Sequence, residues 1–186
     1  HRVDAILDAW KDTIELDLAK EPTATPNGWK AQGHDFAITD SGIVYQDGNV
    51  KVEAFQHKHW ELPYNYAYRI TTPDRVLVIG GDGAADDRLI SAAQGADVFV
   101  MEVCTEAYLG NAPWGGESLE QKQQVIWQYH IKPRDLARIA NAAKVKTLVL
   151  YHVQNYSDPY DPEAVLKEVR EYYQGTVVQA RDGDIF

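Results

Sequence analysis

Three short, uninterrupted apolar runs constrain this chain more than any other feature: Val76–Ile79, Val98–Met101 and Leu148–Leu150. A strand wetted on one face alternates apolar and polar residues, so a run without alternation reads as a strand covered on both faces. Helical patterns separate the runs. Asp87–Ala93 follows the first, Ser118-Leu119-Glu120-Gln121 is a capping box that predicts a helix to about Tyr129, and Pro133 opens another. Asp161-Pro162 starts a last helix, and Thr176–Gln179 and Asp184–Phe186 read as short closing strands.

The front half has a different grammar. Val3, Ile6, Leu7, Trp10 and Ile14 have the i, i+3, i+4 spacing of an amphipathic helix over residues 3–18. Glu21–Gly33, with Pro22, Pro26, Asn27 and Gly28, reads as a loop. Asp47-Gly48 between Gly42–Gln46 and Asn49–Phe55 predicts a hairpin with a type I′ turn, and Tyr64–Thr72 predicts a further strand. The expected class is therefore α/β: mixed sheets with flanking helices, in a single domain over residues 1–186. A composition of 45% hydrophobic and 25% charged residues fits a folded rather than a disordered chain.

Each apolar run leads to an ionisable residue. Asp82 follows Gly80-Gly81, Glu102 follows Met101 directly, and His152 follows Tyr151. Ligands of α/β sheets bind beyond the carboxyl ends of strands, so polar strand ends on one rim would converge on a cleft. Turn and helix capping is the bland use of such residues. The segment Phe55-Gln56-His57-Lys58-His59-Trp60 adds an H-x-H pair, whose imidazoles share a side in extended chain. Neutral imidazole is a common zinc ligand, and strand phase does not choose which of the two faces inward. A carboxylate such as Asp82 can give one oxygen to each of two cations, and the flanking Gly81 and Gly83 would let backbone approach them. His130, between two predicted helices, reads either as a proton donor to a leaving group or as a loop histidine bonded to backbone. Trp60, Tyr64, Tyr66 and Trp114 are aromatic candidates for a pocket wall or for the core.

The motifs Ala54-Phe55-Gln56-His57-Lys58-His59, Tyr66-Ala67-Tyr68-Arg69-Ile70, Val78-Ile79-Gly80-Gly81-Asp82, Gly95-Ala96-Asp97-Val98 with Met101-Glu102, His130, and Leu148-Val149-Leu150-Tyr151-His152 occur in this order. Together they resemble the later part of ribonuclease Z-like metal-dependent hydrolases of the metallo-β-lactamase superfamily, through nearly the whole chain. The resemblance implies a partial αββα-type metallo-β-lactamase fold, of which residues 1–186 form the C-terminal portion, and a binuclear metal-dependent hydrolase. By position it implies that His59 binds one ion, Asp82 bridges both and His152 binds the second, with His57 standing where an apolar residue is usual. It implies that His130 assists the leaving group and that Glu102 has a supporting role. The implied cofactors are two divalent ions, zinc first and manganese or iron as alternatives. The implied reaction is attack of a metal-bridged hydroxide on a phosphodiester, ester or lactone.

Gly83 stands where the family has Thr or Ser, and Ile131 where Ser or Thr commonly follows the loop histidine. The family's upstream His-x-His-x-Asp-His motif has no match in residues 1–186, so the expectation is a fragment, a processed chain or the ordered part of a longer polypeptide. A net charge of −10 repels polyanions, which favours a small-molecule substrate over nucleic acid. No membrane-length apolar stretch occurs, one cysteine (Cys104) leaves neither an internal disulfide nor a multi-cysteine zinc site, and a homodimer is an open assembly state. The compartment also stays open, with a cytoplasmic one marginally preferred. Two rival readings are a fold-retaining domain without catalysis and a nucleotide-binding module. The second rests on Gly81-Asp82-Gly83-Ala84-Ala85-Asp86 after a strand, but Asp86 occupies the third glycine position and its charge opposes a pyrophosphate.

Overall fold

The computed structural model describes residues 2–21, 23, 25, 27–36 and 40–186. Pro22 and Pro26 of the expected loop lie outside the described residues. Two compact units partition the chain, residues 1–37 and 38–186.

The first unit is built on α1 (Arg2–Lys20), the amphipathic helix that the spacing predicts. Asp4 in its first turn and Lys20 in its last complement the helix dipole. No residue of α1 is buried, and Ile6, Trp10 and Leu16 remain mostly exposed. The described residues that follow it carry no helix or strand, as expected of the loop.

The second unit is one seven-stranded mixed sheet whose strands lie in chain order. Its strands are β1 (Ser41–Gln46), β2 (Lys51–Gln56), β3 (Tyr66–Thr71), β4 (Val76–Ile79), β5 (Val98–Cys104), β6 (Thr147–Gln154) and β7 (Thr176–Gln179). Pairing is antiparallel from β1 to β4 and parallel from β4 to β7. The helices are α2 (Arg88–Ala93), α3 (Leu119–Ile126), α4 (Pro133–Ala142) and α5 (Ala164–Arg170). The change of grammar in the sequence is thus a change from meander to crossover connections within a single sheet.

Register explains the core. Val78 pairs with Phe99, Phe99 with Leu148 and Leu148 with Val177, so one row of apolar side chains crosses four parallel strands. All four are buried, and they share one core with Leu89 and Ala92 of α2, Leu136 and Ile139 of α4, and Val165 and Val169 of α5. Each fully buried side chain of this kind contributes roughly 1.5–3 kcal/mol. A smaller core of Cys104, Leu109, Ala112 and Ile126 packs α3 near the end of β5.

Four local expectations change. Neither Asp47 nor Gly48 has the positive φ that a type I′ turn requires. Instead the Asp47 carboxylate accepts hydrogen bonds from the backbone N–H groups of Asn49 (2.8 Å) and Val50 (2.9 Å), an Asx-type turn. Helix α3 stops at Ile126 rather than near Tyr129; its capping box forms, with Ser118 and Gln121 bonded reciprocally. Residues 184–186 form no strand. Finally, β5 and β6 do not end at Glu102 and His152 but run on to Cys104 and Gln154. A bulge intervenes: Glu102 pairs with Tyr151 and Val103 with Val153, leaving His152 as the extra residue at φ +43°.

Candidate metal centre

A bulge bends a strand and re-aims a side chain. Here it places His152 beside the loop that follows β4. That loop begins where Gly80 N–H donates to Val100 O (2.9 Å) and Tyr151 Oη donates to Gly80 O (3.0 Å). Asp82, two residues on, brings Oδ2 to 3.3 Å from His152 Nε2, and both side chains are exposed to about the same degree, 40% and 49%. His130 enters from the turn between α3 and α4, its ring 5.9 Å from that of His152. One ligand atom from each of Asp82, His130 and His152 lies within 4.8 Å of the others.

Glu102 holds two of these loops together from below. It is fully buried. Its Oε1 accepts from Ile131 N–H (2.9 Å) and Gly83 N–H (3.3 Å), while Oε2 lies 3.3 Å from His130 Nδ1. One carboxylate of β5 therefore fixes the residue after Asp82 and the residue after His130. Burial pushes its pKa up, against the pull of His130 and the two N–H donors. On the other side, Gln154 Nε2 stands 2.7 Å from His130 Nε2, and Tyr156 Oη donates to Gln154 Oε1 at 2.6 Å. The same amide nitrogen is 3.0 Å from His130 Nδ1, so Gln154 packs against the ring and, with Glu102, confines it from two sides. The sequence reading missed Gln154; its signal is the i+2 spacing from His152 along β6.

The H-x-H pair divides. His57 is 1% exposed. Asn65 Nδ2 donates to its Nε2 (3.1 Å) and to Asp82 O (2.9 Å), so the amide ties His57 to the Asp82 loop. Burial lowers the His57 pKa to about 4, which keeps the ring neutral at pH 7. A Cβ on Gly83 would sit 2.4 Å from His57 Cε1 and 2.7 Å from Lys58 O. Glycine is thus required at 83 by close packing against this segment, whereas a Cβ on Gly81 would meet only ordinary contacts, the nearest at 3.6 Å. Further bonds dock the same two loops: Ala84 N–H to Lys58 O (2.9 Å) and Lys58 N–H to Asp86 Oδ2 (3.0 Å). Asp86 in turn holds Arg88 at 2.6 Å, which keeps its carboxyl below the usual range against the effect of burial.

His59 differs from its neighbour. Its Nδ1 is buried and has no hydrogen-bond partner. The ring stands edge-on to Tyr129 at 5.3 Å and to His130 at 6.4 Å. Burial lowers its pKa, and the Asp82 charge opposes that. Among the residues expected at the site, the structure gathers Asp82, His152 and His130 most closely, with His59 adjacent through His130. Of the aromatic candidates, Trp60, Tyr64 and Trp114 are exposed rather than core residues.

This donor set fits a divalent cation. Two imidazoles and a carboxylate are the nitrogen and oxygen ligands that zinc, manganese and iron accept. The unpartnered, buried Nδ1 of His59 is a costly atom to leave without a ligand. No helix among the described residues is long and apolar enough to cross a membrane.

No protein-family model matches the chain. It is 34% identical over 111 residues to ribonuclease Z of Myxococcus xanthus, a match covering 60% of this chain and 32% of that protein. It is 25% identical over 175 residues to ribonuclease Z of Mycobacterium bovis, covering 80% of this chain and 60% of the relative. Among solved structures, the metallo-β-lactamase fold protein YhfI from Bacillus subtilis superposes with a TM-score of 0.63 at 20% identity, over 91% of this chain and 61% of that one. The chain thus spans between about a third and three-fifths of the length of these relatives.

Proposed function

From a ribonuclease Z-like chain with the metallo-β-lactamase fold, we propose a metal-dependent hydrolase of phosphodiester substrates to which residues 1–186 contribute the later half of the metal centre. The observation that carries this reading is the convergence of Asp82, His130 and His152 on one open rim within 4.8 Å. Asp82 and His152 would hold divalent ions, with Asp82 able to bridge two of them, and the unpartnered His59 Nδ1 would face a further ion. The other ligands of each ion would come from residues outside this sequence, where the resemblance puts a His-x-His-x-Asp-His motif. When bound, such ions supply an activated water and Lewis acidity toward the attacked oxygen.

The chain's own groups do the rest. Glu102 and Ile131 N–H hold His130 in place, and the carboxylate next to Nδ1 stabilises the ring when Nε2 carries a proton for a leaving oxygen. The closeness of His130 to Asp82 and His152 supports a second role for it, as a ligand. Net charge weighs against nucleic acid, but the sequence likeness to proteins named ribonuclease Z weighs more. RNA and a small phosphodiester are therefore both retained as substrates to test, ahead of esters and lactones.

The test is metal content and hydrolysis of bis(4-nitrophenyl) phosphate and of a structured RNA by the complete protein. Asp82→Ala and His152→Ala should lose bound metal together with turnover. Full metal retention and turnover in both would overturn the reading. His130→Ala should keep its metal and lose turnover if His130 is the proton donor, and lose metal if it is a ligand.

A further inference from the structure

Beside the metal centre lies an open cleft of about 370 Å³, lined by Lys58, Trp60, Glu61, Ala84, Ala85 and Trp127 among others. That volume is within the range of small-molecule sites. Trp60 is its unusual member. Its φ is +50°, a left-handed conformation that is an outlier for a bulky residue. Its N–H donates to Gln128 O at 2.7 Å, which pins the strained backbone against the turn after α3. Core packing does not account for this arrangement, because the side chain is 51% exposed. One face of the indole stacks on Tyr129, with centroids 5.7 Å apart and planes 29° apart.

Backbone strain of this kind persists where surrounding structure over-determines it, and it clusters at ligand clamps. Here it holds an indole half in solvent at the mouth of a cleft. A second indole in the lining is Trp127, partly buried and carrying Lys132 Nζ over its ring at 4.9 Å. Ala84 and Ala85 supply small apolar contacts, and their place just after Asp82-Gly83 joins the cleft to the metal-centre loop. The other side joins as well: Trp60 follows His59 directly, and Tyr129, under Trp60, packs edge-on against the His59 ring. Lys58 puts a cation on the lining and Glu61 offsets it, so the lining has no net charge to attract a polyanion and its two indoles set its character.

We propose that this cleft is a subsite for a planar aromatic ring, with Trp60 as its stacking platform. The part of the inference that assigns the ring to the hydrolysed substrate rests on the function proposed above; the ring site itself does not. An aryl group and a nucleobase share the required chemistry, since every such ring has a π-face on which an indole can stack.

Calorimetric titration of the metal-free chain separates these claims. The probes are phenyl phosphate, adenosine 5′-monophosphate and, as the ringless control, ribose 5-phosphate. At least one ring-bearing probe should bind about tenfold or more tightly than ribose 5-phosphate. Trp60→Asn is the decisive variant, because Asn accepts the left-handed backbone while removing the platform. It should weaken ring binding about tenfold and leave the control unchanged. A preference for phenyl phosphate assigns an aryl site, and a preference for the nucleotide a nucleobase site. Equal affinity for all three probes, no ring binding, or full ring binding by a Trp60→Asn chain with native circular dichroism would overturn the proposal. His152→Ala should bind the ring probes as the parent does, so that loss of the metal-centre reading leaves this result standing.

Discussion

The floor and the rim of the candidate site use the same residue types on opposite terms. In the floor, Glu102 and His57 are buried and reach neighbouring loops: Glu102 to Gly83, Ile131 and His130, and His57 to Asn65. At the rim, Asp82 and His152 are 40% and 49% exposed, and their main partner is each other. His59 lies between, with a buried nitrogen that has no partner. A buried polar group with its partners in place holds structure together. Polar atoms that converge in the open, as those of Asp82 and His152 do, are arranged for something that binds, and the unpaired His59 Nδ1 adjoins them, whereas the unpaired Oε2 of Glu102 still has His130 Nδ1 at 3.3 Å. The difference between His57 and His59, two residues apart, is therefore one of hydrogen bonding rather than of residue type.

The sharpest way to break this comparison is to exchange its consequences. In the complete protein His152→Ala should cut hydrolysis nearly to background while leaving the folding free energy within about 0.5 kcal/mol, as for other exposed positions. Metal analysis and urea unfolding read the two effects. Glu102→Ala should do the reverse in kind: it leaves two buried N–H donors and His130 without their acceptor, at a cost of about 3–5 kcal/mol. If the His152 variant proved the less stable of the two, the division into floor and rim would fail.

Much of this was legible in the sequence. The three apolar runs became β4, β5 and β6, because a strand covered on both faces must lack alternation. Asp82 was readable because β4 does end before it. His152 and Glu102 were found by an inexact argument, since their strands continue past them. What positions them is a bulge, a property of two paired strands that neither strand encodes alone. His57 against His59 was illegible for a related reason. Both follow the end of β2, so strand phase has no hold on them, and burial is decided by Asn65 and Gly83 from other parts of the chain. The role of Gly83 was misplaced in the same way: it makes room for His57 and Lys58 O.

Acid offers a second probe of the floor. The His57 pKa of about 4 in the folded chain lies below the ordinary value of 6.5. Between these values the unfolded chain binds more protons than the folded one, so stability falls as pH drops from 6.5 to 4 and this contribution levels off below 4. The full interval is worth about 3 kcal/mol. His57→Gln keeps a polar side chain and removes the titration. Urea unfolding at pH 7 and pH 4 should show a smaller loss in the variant than in the parent, and equal losses would move His57 out of the floor.

The smallest effect tests why the floor is closed. Gly83→Ala should cost about 1–3 kcal/mol, the usual penalty for forcing a methyl into filled space. Two obstacles stand in its way, the His57 ring at 2.4 Å and the Lys58 carbonyl at 2.7 Å. The ring can be removed and the carbonyl cannot, so a double-mutant cycle separates them. If the ring is the main obstacle, Gly83→Ala should cost less in a His57→Ala background than in the parent, with a coupling of about 0.5–3 kcal/mol. If the carbonyl dominates, the two substitutions should add. Additivity would mean that backbone approach between the Lys58 and Asp82 loops, held by the Ala84–Lys58 hydrogen bond, is what demands glycine. The site would then be closed by main chain, and His57 would be a tenant of that closure rather than its cause.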